Sequence, residues 1–493
     1  MSTAQYVQAH PDHRVGVRLG QLLSLLDRAD VDPLFRQEIV HIPSDHPTFR
    51  WRCAVHGCQR HPATSSKLCS LHAQRWRRAD RDWLAFAAFI AAEEPLIPLR
   101  GGEQPRCIIC PERPARGPIQ RLCVRHGDRW HHAVGFDPSL AFEQWVLSEE
   151  AFPGFGSCLV TACEDLAESP LLLCRFHRLT YQRHDSPGGA SLPSRWARFY
   201  DGRGKPTPVS YVDEDQFRRW CARAPARLVV GQLNLLGLRP LARAEIQWTL
   251  VKHTEGDRTQ WRLPLLQGLV NICRERDLNS VADLDVAALR RPHQAIVTEM
   301  LNELRLIYFT PAQTREAGFI ETDHFGVRFT QRQSHYDLTD ITQRWLRDLV
   351  WDVMADLLRS PRCPRSGGTF DGLRRGAVSL SAFLEAEVSG AGHDPTVLRA
   401  EHMHRFLADM RHRERHGLLA RGIHRRDGRP SIVTAITRMY VFSTVHRLFR
   451  FALDSGAADR LGLDRHFILA ARPEEGSTLA RAGGPSPTMS PRR

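Results

Sequence analysis

The sequence predicts a mainly α-helical chain in which three small cysteine–histidine modules precede helical domains that end in a four-helix bundle. Three observations predict it. Nine of the twelve cysteines recur in three similar groups, apolar residues beyond position 212 follow helical spacing, and the last folded stretch carries four separate one-face stripes.

Composition sets the frame. At roughly 100–200 residues per domain, 493 residues hold several units, each able to bury its own core. Apolar content of 42% and charged content of 25% belong to a folded chain and exclude global disorder. No run of about 18 apolar residues occurs. The N-terminal MSTAQYVQAHPDHR lacks the basic-then-apolar order of a secretory signal. A membrane protein and a secreted disulfide scaffold are therefore poor readings, and a cytoplasmic location is expected. The formal charge of +13 suits a polyanionic partner. Only Lys67, Lys205 and Lys252 are lysines, however, so arginine supplies 65 of the 68 basic residues, an excess that GC-rich coding also produces.

Residues 1–49 read as an N-terminal helical segment, and residues 50–185 hold the array. Its groups are Cys53-x4-Cys58-x10-Cys69-x2-His72, Cys107-x2-Cys110-x12-Cys123-x2-His126 and Cys158-x4-Cys163-x10-Cys174-x2-His177. Two thiolates on a tight knuckle supply two corners of a tetrahedron, and Cys-x2-His at a helix start supplies the others. Units this small lack a sufficient apolar core, so a metal must contribute folding energy. The expectation is three structural Zn2+ ions without an open position for catalysis. Buried packing thiols, a redox pair at Cys107–Cys110 and an iron–sulfur cluster each account poorly for histidine at every site. In the middle module His131 and His132 compete with His126 for the fourth corner. Cys221, Cys273 and Cys363 read as small buried residues.

Past each histidine an aromatic follows at the fourth position: Trp76, Trp130 and Tyr181. These aromatics read as the module's small core. Arg75, Arg77, Arg78 and Arg129 project from the same short helices and are the phosphate candidates. The run L-C-x2-H-x2-R-W-R resembles treble-clef-type zinc modules of nucleic-acid-handling proteins such as phage-type endonucleases. No H-N-H nuclease centre follows, so that chemistry does not carry over.

Residues 186–211, rich in Gly, Pro and Ser, read as a linker. A helical middle domain is expected over 212–325 and a closing domain over 326–470. The closing stripes are Ile341, Trp345, Leu349, Val353 and Leu357 over 339–360; Leu373, Ala377, Leu380 and Leu384 over 371–388; Leu398, Met403, Phe406 and Met410 after Asp394-Pro395; and Ile432, Ile436, Met439, Phe442, Val445 and Phe449 from Ser431. Between the last two, seven arginines (Arg411, Arg413, Arg415, Arg421, Arg425, Arg426 and Arg429) stand against Glu414 and Asp427, a net +5 in one loop-like stretch that reads as a phosphate-contacting, DNA-binding loop rather than a merely solvated one.

The segments ITQRWLRDLV, VSLSAFLEAE, DPTVLRAEHMHRFLADM and SIVTAITRMYVFSTVHRLFRFALDSG resemble the core-binding, SAM-like domain of tyrosine-type site-specific recombinases, the integrases. The resemblance implies duplex DNA as partner, a place on the nucleoid, and a role in DNA integration or recombination. In that family a following domain does strand exchange through an arginine clamp, a lysine or histidine and a nucleophilic tyrosine. Here only 471–493 follows, read as a disordered tail, and no lysine occurs after Lys252. The H-x-x-R strings at His72, His126, His402 and His412, and Tyr440 among apparent core residues, are not carried over as catalytic. The expectation is an integrase-type DNA-binding protein without its own strand-exchange centre, either a truncated gene product or one half of a system whose catalytic subunit is separate. The alternatives are an intact or divergent tyrosine recombinase, and a regulatory or scaffolding protein whose zinc modules bind protein.

Overall fold

A computed structural model describes residues 11–471 apart from 45, 50, 59, 61, 63–66, 80–82, 97–103, 117–119, 195, 197–208, 256–260, 330–333, 362 and 425–428. The expected tail, from 472 onward, and Arg425 and Arg426 lie outside the described residues. The chain is mainly helical with three two-stranded antiparallel sheets among the described residues. It divides into two compact units, the first ending at Leu304 and the second beginning at Arg305. No helix among the described residues is long and apolar enough to cross a membrane.

The first unit contains, in order, α1 (Pro11–Leu26), β1 (Ile39–His41), α2 (Ser70–Arg78), α3 (Trp83–Ala92), α4 (Val124–Phe136), α5 (Phe142–Ser148), α6 (Arg175–Arg183), α7 (Glu214–Arg223), β2 (Gln232–Asn234), α8 (Pro240–Thr254) and α9 (Leu263–Glu275). The helix α10 (Arg291–Tyr308) contains the division between the units. Leu22 and Leu26 of α1 are buried, and α1 packs on α8. Strand β1 pairs with β2, with Ile39 opposite Asn234. The N-terminal segment thus folds onto the middle helices rather than standing as a separate arm.

Helix α8 is buried almost all round, including Glu245, Gln247 and Thr249. A buried polar group must find a partner, and each of these does. Glu245 accepts from the Ser280 hydroxyl and the Val281 amide, Gln247 donates to the Gln37 carbonyl, and Thr249 donates to the Ile246 carbonyl. Arg274 of α9 is equally enclosed. It donates to the carbonyls of Asn234 and Leu236, and burial pulls its pKa down to about 10.

The stretch expected as a linker begins as packed structure. Val212 and Asp213 donate to the Gly188 carbonyl, and Ser191 and Ser210 exchange backbone bonds. At Gly188 (φ 78°) a Cβ would lie 2.2 Å from the Asp213 carbonyl oxygen, so this turn requires glycine.

The second unit contains α11 (Pro311–Ala317), β3 (Phe319–Glu321), β4 (His335–Asp337), α12 (Arg344–Arg359), α13 (Gly368–Glu387), α14 (Ala400–Arg415), β5 (Leu419–His424), β6 (Pro430–Ile432), α15 (Ala435–Asp454), α16 (Ala457–Leu461) and α17 (Arg465–Leu469). Residues 305–325, expected with the middle domain, join this unit. The reasons are the β3–β4 pairing and the Trp351 indole, which donates to the Phe319 carbonyl. Helices α12 to α15 surround a common core that includes Leu346, Phe370, Phe383, Phe406 and Phe449. Three of the four expected helices start and end near their stripes. The fourth does not begin at Ser431, because Pro430–Ile432 pairs with β5 as a hairpin and Thr434 caps α15. The loop expected over 411–429 is accordingly the end of α14 followed by a hairpin. Two members of the expected stripe face outward: Ile432 is 41% exposed and Ile436 77%.

The tightest approach is that of α13 to α15. A Cβ on Gly376 would lie 2.4 Å from Cγ2 and 2.6 Å from Cβ of Thr444, neither of which is a flexible chain end. Alanine gains roughly 0.5–1 kcal/mol over glycine inside a helix, but overpacking costs roughly 1–3 kcal/mol. Gly376→Ala is therefore expected to destabilise the C-terminal unit, with a lower urea midpoint. Gly127, inside α4 with nothing within 4 Å of its Cβ position, is the control in which alanine stabilises.

Candidate metal centres

Each module uses the same local backbone. The first cysteine's amide donates to a carbonyl further along the knuckle: Cys53 to Arg60, Cys107 to Arg113 and Cys158 to Asp165. The next residue's amide then reaches the position two before the third cysteine: Ala54 to Lys67, Ile108 to Arg121 and Leu159 to Leu172. Those three acceptors share left-handed φ values of 61°, 49° and 57° although none is glycine. Such conformations are costly for non-glycine residues and persist where the surroundings over-determine them. Each third cysteine then caps a helix with ψ of 165–166°, placing cysteine and histidine on one face.

The result is three groups: Cys53, Cys58, Cys69 and His72; Cys107, Cys110, Cys123 and His126; Cys158, Cys163, Cys174 and His177. Within each, the sulfurs and one ring nitrogen lie within 4.8 Å of one another, and every cysteine is a free thiol. In all three the histidine turns Nδ1 toward the sulfurs. The S···Nδ1 distances are 3.3 and 3.4 Å in the first, 3.2 to 3.8 Å in the second, and 3.2 and 3.5 Å in the third. The Cys163–Cys174 sulfur separation is 3.7 Å. A tetrahedron with metal–sulfur bonds of about 2.3 Å and metal–nitrogen bonds of about 2.0–2.1 Å has edges of roughly 3.5–3.8 Å. The donor set therefore fits a four-coordinate cation.

In the second and third groups one thiol is poised toward thiolate, whereas burial pushes the first group's Cys53 up to about 11. A hydrogen bond with Cys123 pulls the Cys107 thiol down to about 3, and the same contact pushes Cys123 up. Hydrogen bonds from Cys163 and Cys174 pull Cys158 down to about 4, while Cys163 is pushed up. Neighbouring thiolates cannot all ionise unless a cation joins them. In the middle module His126 is the histidine gathered with the three sulfurs, while His131 and His132 are exposed on α4. Cys221 and Cys273 are buried, and burial pushes both thiols up to about 12, as inert packing residues require.

The histidine's second nitrogen reveals what spacing alone missed. Nε2 donates to the carbonyls of Glu94, Glu150 and Pro225, respectively 22, 24 and 48 residues beyond the ligand. Such contacts fix tautomer and ring orientation. The aromatic four residues after the histidine packs on two aromatics of a second helix: Trp76 on Phe86 and Phe89, Trp130 on Phe142 and Trp145, Tyr181 on Phe217 and Trp220. The carbonyl comes five residues after the second of these each time. Helices α3, α5 and α7 are thus equivalents, and the third repeat runs on to residue 225. Residues 186–211 are an insertion within it. The signal was present in sequence as aromatic-x-x-aromatic followed by Glu-Glu at 93–94 and 149–150, but the insertion displaces its third copy.

The first two repeats carry one further layer. Glu93 and Glu149 lie 3.6 Å from His72 and His126 Nε2, and each is ion-paired with the arginine three residues after the ligand, Arg75 or Arg129. Two of the phosphate candidates are therefore bound to carboxylates. Thr180 replaces that arginine in the third repeat and donates to the Phe176 carbonyl. Arg77 Nε donates to the Ala73 carbonyl, and Arg78 is exposed. Of the C-terminal candidates, Arg413 and Arg421 bind Asp409, and Arg421 also binds Glu387. Arg411 is half-buried, whereas Arg415 and Arg429 are exposed.

Fold and site together define a mainly helical protein whose first unit carries three repeated Cys3His metal-ligand groups. No protein-family model, curated protein or solved structure matches the chain.

The Glu149 layer has a measurable consequence. Glu149→Gln is expected to weaken metal retention at the second site by roughly 10- to 100-fold. Chelator competition reads this as one metal ion released early, the other two keeping their affinity.

Proposed function

We propose that the chain is a zinc-containing, integrase-type DNA-binding protein whose C-terminal unit engages duplex DNA. The observation that carries this reading is the arginine concentration at the end of α14 and along the β5–β6 hairpin. Guanidinium groups are the side chains best matched to phosphate oxygens. Asp409 of α14 and Glu387 of α13 both hold Arg421 of β5, so the hairpin is anchored to the bundle that presents the exposed Arg415 and Arg429. The helical order around the common core supports the likeness to an integrase core-binding domain.

Zinc is the cation this reading assigns. Soft thiolates with one imidazole in a closed four-coordinate sphere suit it, and a closed sphere serves folding rather than catalysis. Of the four H-x-x-R strings, His72 and His126 face the sulfurs, the His402 ring accepts from the Arg399 amide, and His412 packs on His416. Tyr440 is 53% exposed rather than core, and its ring lies over Gly372.

A second reading, a protein-binding scaffold, is favoured by exposed Leu418, Leu419, Ile432, Ile436 and Tyr440 around the hairpin and the start of α15.

Two measurements test the proposal. Metal analysis of protein purified without chelator is expected to find three zinc ions per chain, one for each ligand group, with Cys69→Ser and Cys123→Ser each losing one. A count of zero defeats the zinc assignment. Duplex affinity is expected to fall steeply with salt, and Arg415→Ala with Arg429→Ala to reduce the log–log slope by roughly 1–2. Absence of any shifted duplex at about 50 mM salt overturns the DNA reading and leaves the scaffold.

A further inference from the structure

The second and third repeats border a cleft of about 650 Å³, which touches the second metal site only at the ligand Cys123. It lies wholly within the first unit. The two repeats are joined beside it by the Gln104 side-chain amide, which accepts from the Leu166 amide at 2.7 Å and donates to the Leu166 carbonyl at 3.0 Å. Arg175 adds a bond to the Arg116 carbonyl. One wall comes from the second knuckle and the start of α4, the other from α6 and the inserted segment, including Ser191, Leu192 and Trp196. Described residues of the insertion that sets the third repeat apart therefore form part of the cleft.

Its lining combines two chemistries. Arg113, Arg116, Arg125 and Arg178 line it together with Asp128 and Glu168, and the Arg125 guanidinium lies over the Phe152 ring at 4.2 Å. Arg178 is held by Glu168 at 3.2 Å, and Arg113 donates to the Pro153 carbonyl. Arg116 is 68% exposed, and its nearest carboxylate, Asp128, is 3.9 Å away. Aromatic faces stand among these charges. Arg113 covers Phe155 at 4.6 Å, and Phe155 meets Trp196 edge-on at 5.9 Å. Pockets of roughly 300–1,000 Å³ suit a single small ligand. Planar guanidinium forks match phosphate, and an indole stacks on any nucleobase.

We propose that this cleft binds a nucleoside monophosphate group, with its phosphate on Arg116 and Arg125 and its base against Trp196. That group is either a free nucleotide or one residue of a nucleic-acid strand. The proposal stands apart from duplex binding by the C-terminal unit, because every lining residue belongs to the zinc-bearing unit. Loss of one activity therefore does not imply loss of the other.

The test is calorimetric titration of the full-length, zinc-loaded chain with AMP. Adenosine, inorganic phosphate and O-phosphotyrosine serve as comparison probes. Saturable AMP binding is expected, with all three comparison probes at least about tenfold weaker. Trp196→Ala and Arg116→Ala are each expected to weaken AMP by roughly fivefold or more, with zinc content and far-UV dichroism unchanged. A 5′-phosphorylated dinucleotide that binds more tightly than AMP assigns the site to a strand, and the reverse order assigns it to a free nucleotide. The proposal is overturned by phosphate or phosphotyrosine binding as tightly as AMP, by no saturable AMP binding at millimolar concentration, or by both variants keeping full affinity.

Discussion

Three thiols and an imidazole gathered inside one coordination sphere are the constraint on which the first unit depends. Their sulfurs and nitrogens stand within 4.8 Å of one another, a spacing that repels when the thiols ionise and binds when a cation joins them. The helices they open are nine or thirteen residues long, too short to persist alone. Each ligand histidine also grips a carbonyl 22 to 48 residues away. The metal site thus couples a local knuckle to a distant helix, and the aromatic behind the histidine fills the space between them. Metal loading and folding of a repeat are one equilibrium in such an arrangement.

The second unit rests on close approach instead of ligation. Gly372 and Gly376 let α15 settle against α13 where a side chain would collide, and Gly422 (φ 68°) brings the hairpin onto Val378. Charge is ordered by the same packing. The +5 counted over 411–429 overstates the local field, because Asp409 and Glu387, outside that stretch, pair with Arg413 and Arg421 and more than offset Arg438, which takes Glu414. What stays outward-facing is a smaller set of arginines at the hairpin and helix end, beside an apolar rim.

Much of the metal site was legible in the sequence. Ligand spacing is a short-range property, so three repeats of cysteine and histidine single out the same twelve side chains that the structure gathers into three groups. The aromatic cores were legible for the same reason, and the bundle's first three helices followed from apolar period. The fourth helix was misjudged at its start because Ile432 and Ile436 continue a helical stripe that no neighbouring element covers. The arginine-rich stretch reads as a loop since glycine-rich hairpins carry little apolar alternation. Arg75 and Arg129 read as phosphate contacts because their carboxylate partners stand 18 and 20 residues away.

By itself, then, the sequence determined the ligand sets, the helical class and the positions of the aromatic anchors, all set by contacts within a few residues. Only the tertiary structure decided that the third repeat runs through an insertion to Pro225 and which arginines are already paired. It also decided that a cleft opens between the second and third repeats. Those outcomes rest on partners tens of residues apart, whose meeting depends on how whole elements pack and not on any local spacing.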